Sequence, residues 1–377
     1  MQITVISNYD EFLGLEDAWK NVFERCDTDN IFISWEWCSL WWKHFGRNQR
    51  LMILVIKDRA ETVGIAPLMS AGGNFFSLGK PVISFMGGEL ADYIDFLVLR
   101  NNKEVIMTIM DFLLKFAGWG LVDLRRIPEY SPNLIAVEEC LSGLGCDYVV
   151  RKSSTSPAVK ITGRWDDYYK SLSKGLRQDI RTTLNKLKLI GDVKFVNYNA
   201  YTFKEALDTL FELHGKRQDY KLGQSLFDIQ SNRDFFHELA LAFIKPGWID
   251  ISALKIKDRV ISIAFAFRHK EIFYYWVPAF DTEFIKYSLS KVHIQNLLKS
   301  CFEQNYTEFD FMRGDEEYKF KWTNAIHKSY EVKIYKNMLC CKLDSLRFTA
   351  RKYIKNLYNN YPLFKKILVK ISKNNFS

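Results

Sequence analysis

The order of residue patterns between positions 249 and 335 constrains the fold of this 377-residue chain more than any other feature. Segments rich in β-branched and aromatic residues alternate with short polar breaks such as Lys257-Asp258-Arg259, which predicts a meander of strands. Apolar residues then recur at helical spacing and predict an amphipathic helix from Ser288 to Asn305. A polar loop, Arg313–Lys319, precedes the last strand. The predicted strands are Ile251–Lys257, Val260–Arg268, Glu271–Val277, Thr307–Phe311 and Ser329–Tyr335.

The first half of the sequence contains a second copy of this order. Leu51–Leu68 resembles Leu254–Phe265 in its strand, its Lys-Asp-Arg turn and its second strand. Asp123-Leu-Arg-Arg126 later repeats the spacing of Asp310-Phe-Met-Arg313. Two matches in the same order predict a tandem duplication, and a chance repeat of a common strand-helix-strand order is the alternative. The other elements predicted in this half are strands Tyr93–Leu99 and Leu121–Ile127, and helices Glu11–Arg25, Trp35–Phe45 and Lys103–Phe116.

Length and composition agree with a duplication. The chain is long enough for two ordinary domains, and 48% hydrophobic with 15% aromatic residues supplies large cores. We therefore predict an α/β fold with tandem domains at residues 1–160 and 161–341, each a mixed, mostly antiparallel sheet flanked by helices. A tryptophan cluster predicts a packed core or an interdomain contact, with a sugar-stacking platform as the alternative. Its members are Trp35, Trp37, Trp41 and Trp42.

The positive charge of the chain is concentrated at its C-terminal end. Residues 342–377 carry nine Lys or Arg and one acidic residue, so only +1 of the net charge of +9 belongs to the rest. Lys and Arg alternate there with Leu, Ile, Phe and Tyr at helical spacing, which predicts a basic amphipathic tail at an anionic membrane surface. A helix docked on the body is the alternative. Nucleic-acid binding is a third option, but no nucleic-acid partner is expected because the tail contains no recognisable motif for it.

Cysteine usage, the N-terminal sequence and the lack of long apolar stretches favour a cytoplasmic protein. The basic tail would make it peripheral to the inner face of the membrane. Seven cysteines form no C-x-x-C pair, and six histidines form no H-x-x-x-H pair, so neither a disulfide framework nor a metal site is predicted. The N-terminus shows no secretory signal pattern, and no stretch approaches eighteen apolar residues.

The segment from about Trp165 to Tyr335 resembles a known enzyme family. Its strands and single crossing helix are followed by Asp310-Phe-Met-Arg-Gly314, then Tyr318-Lys319 and Trp322. This order resembles the catalytic domain of the CelD/Fem-type, BioF2-like branch of the GNAT superfamily of N-acyltransferases. The resemblance implies two tandem GNAT-like domains and acyl transfer from a thioester to an amine.

The resemblance also implies where a donor would bind. In GNAT folds two central strands splay apart, here around Tyr274–Pro278, and donor phosphates lie at the N-terminus of the next helix. The implied donor-site residues are Tyr275, Ser288, Ser290, Lys291, Arg177, Arg181 and Arg217. A solvated helix face is the alternative for Arg177 and Arg181. The sequence departs from the family at Tyr287–Lys291, where the usual glycine or Pro-Gly turn is missing.

The implied catalytic residues are acidic and basic side chains around the Arg313–Lys319 loop. Asp310 would orient or deprotonate the acceptor amine, and Tyr318 belongs to the same site. Arg313 and Lys319 would contact an anionic group or the thioester oxygen. Asp92 is a second candidate base, and Asp95 lies beside it. The structural alternative is an ion pair between Asp310 and Arg313.

The function implied is transfer of a non-aminoacyl group from acyl-CoA, as co-substrate and not as a bound cofactor, to an amine. The acceptor class implied is an amino sugar or a cell-envelope polysaccharide precursor. A non-catalytic scaffold protein in polysaccharide assembly is the alternative from another class. An aminoacyl-tRNA-dependent transferase is a further alternative, weakened because no long charged helical hairpin interrupts the sequence.

Overall fold

A computed structural model describes residues 1–27, 30–99, 102–220 and 222–360. The first half begins with a strand and three helices and ends with the long strand β9. Its strands are β1 (Gln2–Ile6), β2 (Arg50–Leu51), β3 (Ile53–Asp58), β4 (Glu61–Ala66), β5 (Leu68–Ala71), β6 (Val82–Phe85), β7 (Leu97–Val98), β8 (Leu121–Pro128) and β9 (Asp147–Lys160). Its α-helices are α1 (Tyr9–Leu13), α2 (Glu16–Arg25), α3 (Trp35–Phe45), α4 (Asn102–Lys115) and α5 (Pro132–Gly143).

The second half contains the predicted meander, crossing helix and final strand. Its strands are β10 (Val193–Asn197), β11 (Ile249–Ile256), β12 (Arg259–His269), β13 (Ile272–Phe280), β14 (Glu308–Asp310) and β15 (Ala325–Tyr335). Its α-helices are α6 (Trp165–Ser171), α7 (Lys174–Lys188), α8 (Phe203–Tyr220), α9 (Gln230–Ile244), α10 (Ser290–Glu303), α11 (Glu317–Phe320) and the tail helix α12 (Met338–Asn360). The 3₁₀ helices of the chain are Ile31–Ile33, Gly46–Asn48, Phe75–Ser77, Leu226–Asp228 and Thr282–Tyr287.

The predicted strands and helices are confirmed to within a few residues, with three exceptions. The strand predicted over Tyr93–Leu99 is only the two-residue β7, because the residues before it follow the loop around Asp92. The helix predicted over Glu11–Arg25 is divided into α1 and α2 at Gly14. The polar loop before the last strand ends in a short helix, α11.

The two halves share one large sheet. Within the described residues the strands form a four-stranded sheet, β1-β3-β4-β7, and an eleven-stranded sheet, β10-β11-β12-β13-β14-β9-β15-β8-β6-β5-β2. The last strand of each half lies in the sheet of the other, because β9 pairs with β14 and β15 pairs with β8. β9 and β15 also pair with each other from Asp147–Tyr335 to Ala158–Ala325. The boundary predicted at residue 160 therefore follows a strand that both halves use.

The topology repeats, although one of the sequence matches does not align in space. The β1-β3-β4 order recurs as β10-β11-β12, and in both copies a helix connects to the next strand, α4 before β8 and α10 before β14. The hairpin turn lies between Asp58 and Glu61 in the first copy and between Ile256 and Arg259 in the second. The shared Lys-Asp-Arg triplet is thus displaced by two residues relative to the turn, so the topology supports the duplication better than that triplet does.

The predicted splaying of two central strands is confirmed. β13 and β14 run parallel and pair only from Ile272–Glu308 to Tyr274–Asp310. β13 then continues to Phe280 while remaining paired with β12 on its other side, with a register shift next to Tyr275. A bulge increases local twist and turns a strand away from its neighbour. We call the gap beyond Tyr274 and Asp310 the fork.

An aromatic cluster fills the interface between the halves. Trp37 of α3 is fully buried, and its ring centroid lies 5.5 Å from that of Trp276 on β13 and 5.3 Å from that of Phe235 on α9. Trp276 in turn stacks on Phe236 at 4.9 Å. The interdomain interpretation of the tryptophan cluster is therefore confirmed for Trp37. A second core lies between α7, α10 and the second-half strands.

The tail helix α12 docks at its start and exposes apolar residues further along. Asp344 accepts hydrogen bonds from Arg151 at 2.6 Å and from Tyr335 at 2.8 Å. Leu346 and Tyr353 are about two-thirds exposed. The predicted tail beyond residue 360 lies outside the described residues. Among the helices that the structure describes, none has both the length and the apolarity that crossing a bilayer requires.

We predict that neither half folds alone. Fragment 1–160 would expose both edges of β9, and fragment 161–341 would lose the partners of β14 and β15, in addition to half of the Trp37 cluster. Each fragment should be insoluble or should melt without cooperativity when expressed separately, whereas co-expression should recover a complex. The control is intact 1–341. Two fragments that are soluble and melt cooperatively on their own would contradict this prediction.

Candidate active site

The fork opens toward the start of α10, where a cavity of about 270 Å³ lies. The chain reverses there at Ser288, whose φ of +52° is in the left-handed region. Leu176 of α7 and Phe280 at the end of β13 form apolar parts of the wall. The predicted donor-site residues that line this cavity are Ser288, Ser290 and Lys291, and the predicted catalytic residue Tyr318 also lines it.

The electrostatics at this cavity favour an anion. The first-turn N–H groups of a helix lack intrahelical partners, and the helix dipole adds partial positive charge. Lys291 lies in the first turn of α10 and pairs with Asp179 of α7 at 2.5 Å, an interaction that lowers the pKa of Asp179. Lys321 is a second cation in the wall. The missing glycine or proline turn is replaced by the left-handed Ser288, so the helix N-terminus still faces the cavity.

Two tyrosines and an arginine lie beside the fork. Tyr275 is buried, with its ring 5.7 Å from that of Phe309. The Nη1 of Arg217 donates to the carbonyl oxygen of Pro278 at 2.9 Å, and its Nε is buried without a hydrogen-bond partner. Burial raises the pKa of Tyr275 and of Tyr318 well above the usual range, so both hydroxyls are protonated near neutral pH. Tyr318 can therefore donate a hydrogen bond into the cavity.

Arg177 and Arg181 are not brought together with the other predicted donor-site residues. The Nε of Arg177 donates to the carbonyl oxygen of Leu172, and Arg181 contacts Gln178 on its own helix. Helix α7 presents Leu176 to the cavity instead. This placement favours the solvated-face alternative for the two arginines.

Asp310 lies at the last paired position before the fork and is 2% exposed. One carboxylate oxygen accepts a hydrogen bond from the Tyr93 hydroxyl at 2.7 Å, and the other accepts from the backbone N–H of Met312 at 2.6 Å. Burial raises the pKa of Asp310 to about 6, although the hydrogen bond from Tyr93 opposes the shift. The predicted alternative of an Asp310–Arg313 ion pair is wrong, because Arg313 pairs with other acids.

Arg313 connects the second half to the loop that precedes Tyr93. Its Nε lies 3.1 Å from an oxygen of Asp92, and its Nη2 donates to the backbone oxygen of Glu89 at 3.0 Å. Burial raises the pKa of Asp92, and the charges of Arg313 and Arg126 oppose this. Arg126 pairs with Glu89 and donates to the carbonyl oxygen of Ala91 at 2.5 Å. Asp92 thus lies in an ion-pair cluster at the interface of the halves.

Lys319 holds the loop in which it lies. Its ammonium donates to the carbonyl oxygens of Met312 and Arg313 at 3.2 and 2.9 Å and pairs with Glu316 at 2.9 Å. A Cβ on Gly314 would lie 2.2 Å from the Glu316 carboxylate, and φ at this glycine is +135°. The loop therefore requires glycine at this position. All three N–H bonds of Lys319 are directed to protein oxygens, which places it as a loop support.

Sequence reasoning did not identify several residues that complete the site. Tyr93 contacts Asp310 and Glu89 contacts Arg313 across more than 210 positions of sequence, and Arg126 in turn pairs with Glu89. Asp95, predicted beside the cleft, instead accepts from Asn133 at the start of α5. The signal that pointed to this region was the Gly87–Tyr93 segment, whose glycines indicate an irregular loop.

The C-terminal half matches a known protein family. Residues 174–320 match the family model described as Acetyltransferase (GNAT) domain. This segment contains α7, the fork, α10 and the Asp310–Lys319 loop. No curated protein sequence matches the chain.

Solved structures share the fold over nearly the whole chain. The FemX crystal structure is 12% identical, with 91% of this chain and 99% of FemX covered and a TM-score of 0.64. A conserved protein of unknown function from Bacteroides thetaiotaomicron is also 12% identical, covering 89% of this chain and 100% of its own, with a TM-score of 0.56. The C-terminal domain of a putative lysylphosphatidylglycerol synthetase from Agrobacterium fabrum is 8% identical, covering 90% and 96%, with a TM-score of 0.53. Residues 174–320 therefore match the GNAT acetyltransferase domain family, and the chain as a whole has a fold similar to that of FemX.

Proposed function

We propose that the protein transfers a non-aminoacyl group from acyl-CoA to an amine of an amino sugar or a cell-envelope polysaccharide precursor. The observation that supports this most directly is the fork, which begins beyond Tyr274 and Asp310, together with the cavity at the N-terminus of α10 that Phe280 lines at the far end of β13. Donor phosphates would bind at that N-terminus beside Lys291, and the thioester would extend toward the fork. The acyl group and the acceptor follow from the resemblance alone.

The reaction requires one proton to leave the amine and one to reach the sulfur. The amine nitrogen attacks the thioester carbonyl carbon, a C–N bond forms, and the C–S bond breaks. Asp310 accepts the amine proton, since a carboxylate with two hydrogen bonds retains free lone pairs. Tyr318 donates a proton to the leaving thiolate. Backbone N–H groups of β13 at the fork stabilise the oxyanion.

Other predicted residues have positioning roles in this proposal. Arg313 and Asp92 fix the two halves around Asp310, and Lys319 fixes the loop between Asp310 and Tyr318. Arg217 holds β13 through Pro278.

A non-catalytic scaffold remains the competing function, because Ser288 replaces the usual turn before α10. Stabilisation against heat by acetyl-CoA, lost in Lys291→Glu, would support a working donor site.

Replacing Asp310 by Asn tests the proposed base. Asparagine preserves side-chain volume but removes the acceptor charge, so we expect acyl transfer to fall about a hundredfold or more. Tyr93→Phe is the matched control, because it removes the 2.7 Å hydrogen bond while preserving the carboxylate. We expect Tyr93→Phe to lower stability by about 1–3 kcal/mol with a smaller loss of rate. Unchanged turnover in a stable Asp310→Asn protein would leave only a structural role.

The rate should depend on pH through Asp310. Its carboxyl must be ionised to accept a proton, and its pKa is raised to about 6. We therefore expect kcat/KM to increase as pH rises from 5 and to level off above about 7. The measurement is a pH–rate profile for the parent and for Tyr93→Phe, in which loss of a hydrogen bond to the charged form should move the midpoint upward. A flat profile from pH 5 to 7 would contradict this assignment.

We also propose that the tail holds the protein at an anionic membrane surface. Each Lys or Arg near such a surface contributes about 1 kcal/mol, and Leu346 and Tyr353 leave apolar surface exposed on α12. Sedimentation with anionic liposomes should decrease after deletion of residues 355–377 and decrease again after Leu346→Gln. The shorter deletion retains the Asp344 contacts that dock α12. Equal sedimentation of the parent and both variants would remove the membrane role.

A further inference from the structure

A second groove lies beside Arg313, at the start of the loop whose other end contributes Tyr318 to the donor cavity. It comprises two adjoining cavities of about 420 and 220 Å³, which share Arg125, Glu331 and Phe348 in their walls. Strands β8, β9 and β15 form its floor, and helix α12 forms one side. We call it the polar groove. Its size exceeds what one carboxylate or one water would fill.

Basic side chains outnumber acidic ones in this groove. Eight basic and four acidic side chains line its two cavities. Some basic side chains are already paired. Arg151 contacts Glu331 and Asp344, and two nitrogens of Arg125 donate hydrogen bonds to the Asp123 carboxylate. These pairs fix the positions of the arginines without removing the positive excess.

Three of the cations remain available to a ligand. Within the described chain, no carboxylate oxygen lies within 4 Å of the charged nitrogens of Lys152, Arg347 or Arg351. Lys152 lines one cavity, and Arg347 and Arg351 of α12 line the other. Guanidinium groups match the oxygen spacing of phosphate and can bind it in a bidentate manner.

Two buried hydroxyls, one of which lines the groove, provide an independent sign of a missing ligand. Ser154 and Ser329 face each other as paired residues of β9 and β15. The Oγ atoms of both are buried without a hydrogen-bond partner, and Ser329 is only 1% exposed. Ser154 lines the groove. Buried polar groups are rarely unpaired, and a hydroxyl can donate to an anionic oxygen.

The groove reaches the same loop as the donor cavity. Arg313 lines the groove, and Tyr318, five residues later, lines the donor cavity. Lys319 ties the two ends together through the Arg313 carbonyl oxygen. The groove and the donor cavity therefore lie against opposite ends of one loop, Arg313–Lys319.

We propose that the polar groove binds a phosphate group and that the acceptor of the acyl transfer is a phosphorylated amine, such as an amino-sugar phosphate. Phosphate binding stands on the groove itself, whereas the acceptor assignment rests on the proposed function. The phosphate can belong to a soluble sugar ester or to a lipid headgroup, because α12 both lines the groove and exposes Leu346 and Tyr353.

The test is calorimetric titration at low ionic strength with glucosamine 6-phosphate. Glucosamine, which lacks the phosphate group, is the comparison ligand. The parent should bind the phosphate ester and not glucosamine. Arg347→Gln/Arg351→Gln should weaken binding about tenfold. Lys342→Gln/Lys352→Gln removes the same charge from the same helix outside the groove, and should change affinity less than twofold. Ser154→Ala loses no protein hydrogen bond, so weaker binding by this variant would indicate a contact with the ligand.

Two results would overturn the phosphate site. One is equal affinity of Arg347→Gln/Arg351→Gln and Lys342→Gln/Lys352→Gln for glucosamine 6-phosphate, and the other is no binding of this ester by the parent. Vesicles containing phosphatidic acid distinguish the two sources of the phosphate group. If glucosamine 6-phosphate displaces the protein from these vesicles, the groove binds a lipid headgroup. If vesicle binding is unchanged, the soluble ester is the ligand. Failure of the proposed function is separable, because acetyl-CoA stabilisation reports only the donor cavity. A protein that binds phosphate but transfers no acyl group to glucosamine 6-phosphate would keep the site and lose the acceptor assignment.

Discussion

The antiparallel pairing of β9 with β15 is the contact on which the rest of the structure depends. Each strand ends one half of the chain and lies in the sheet of the other half, next to β14 or β8. Backbone groups in a sheet interior must be paired, so separating the halves would break three strand pairings and leave unpaired edges on four strands, β8, β9, β14 and β15. The chain therefore has two topological repeats but one continuous sheet. This explains why composition could suggest two domains while the aromatic core around Trp37 and Trp276 crosses their boundary.

The shared sheet also determines how the site is assembled. β9 holds β14 in place, and Asp310 is the residue of β14 that faces Tyr93 from the first half. Arg313 makes a second connection through Asp92 and Glu89. Asp310 and Asp92 are both less than 10% exposed, whereas Glu89 is an exposed residue. The first half thus sets the pKa of the proposed base through burial and one hydrogen bond, even though its own sequence lies outside the matched family segment.

The sequence predicted local features well and contacts between distant segments poorly. β-branched runs and polar breaks located β11 to β13, and helical spacing located α10, because these signals come from neighbouring residues. The fork was also predictable, since Pro278 cannot donate to a ladder and suits a strand that leaves its neighbour. The partners of Asp310 were not, because Tyr93 is 217 positions away and no local pattern encodes that distance. The Lys-Asp-Arg triplet identified a true repeat at positions that are not equivalent in space.

The two repeats differ where the chemistry is expected. In the second half, β13 precedes α10 and pairs in parallel with β14, so the strands can separate at Tyr274 and open a fork. In the first half, β7 precedes α4 but belongs to the smaller sheet, and β6 occupies the position parallel to β8. Asp123, which corresponds in spacing to Asp310, is held by Arg125. A first-half fork of the same kind is therefore absent from the described strands, and this half instead contributes Tyr93, Asp92 and one wall of the polar groove. Among the described strands the second repeat therefore contains the fork, while the first repeat covers Asp310 and Arg313 through Tyr93, Asp92 and Glu89.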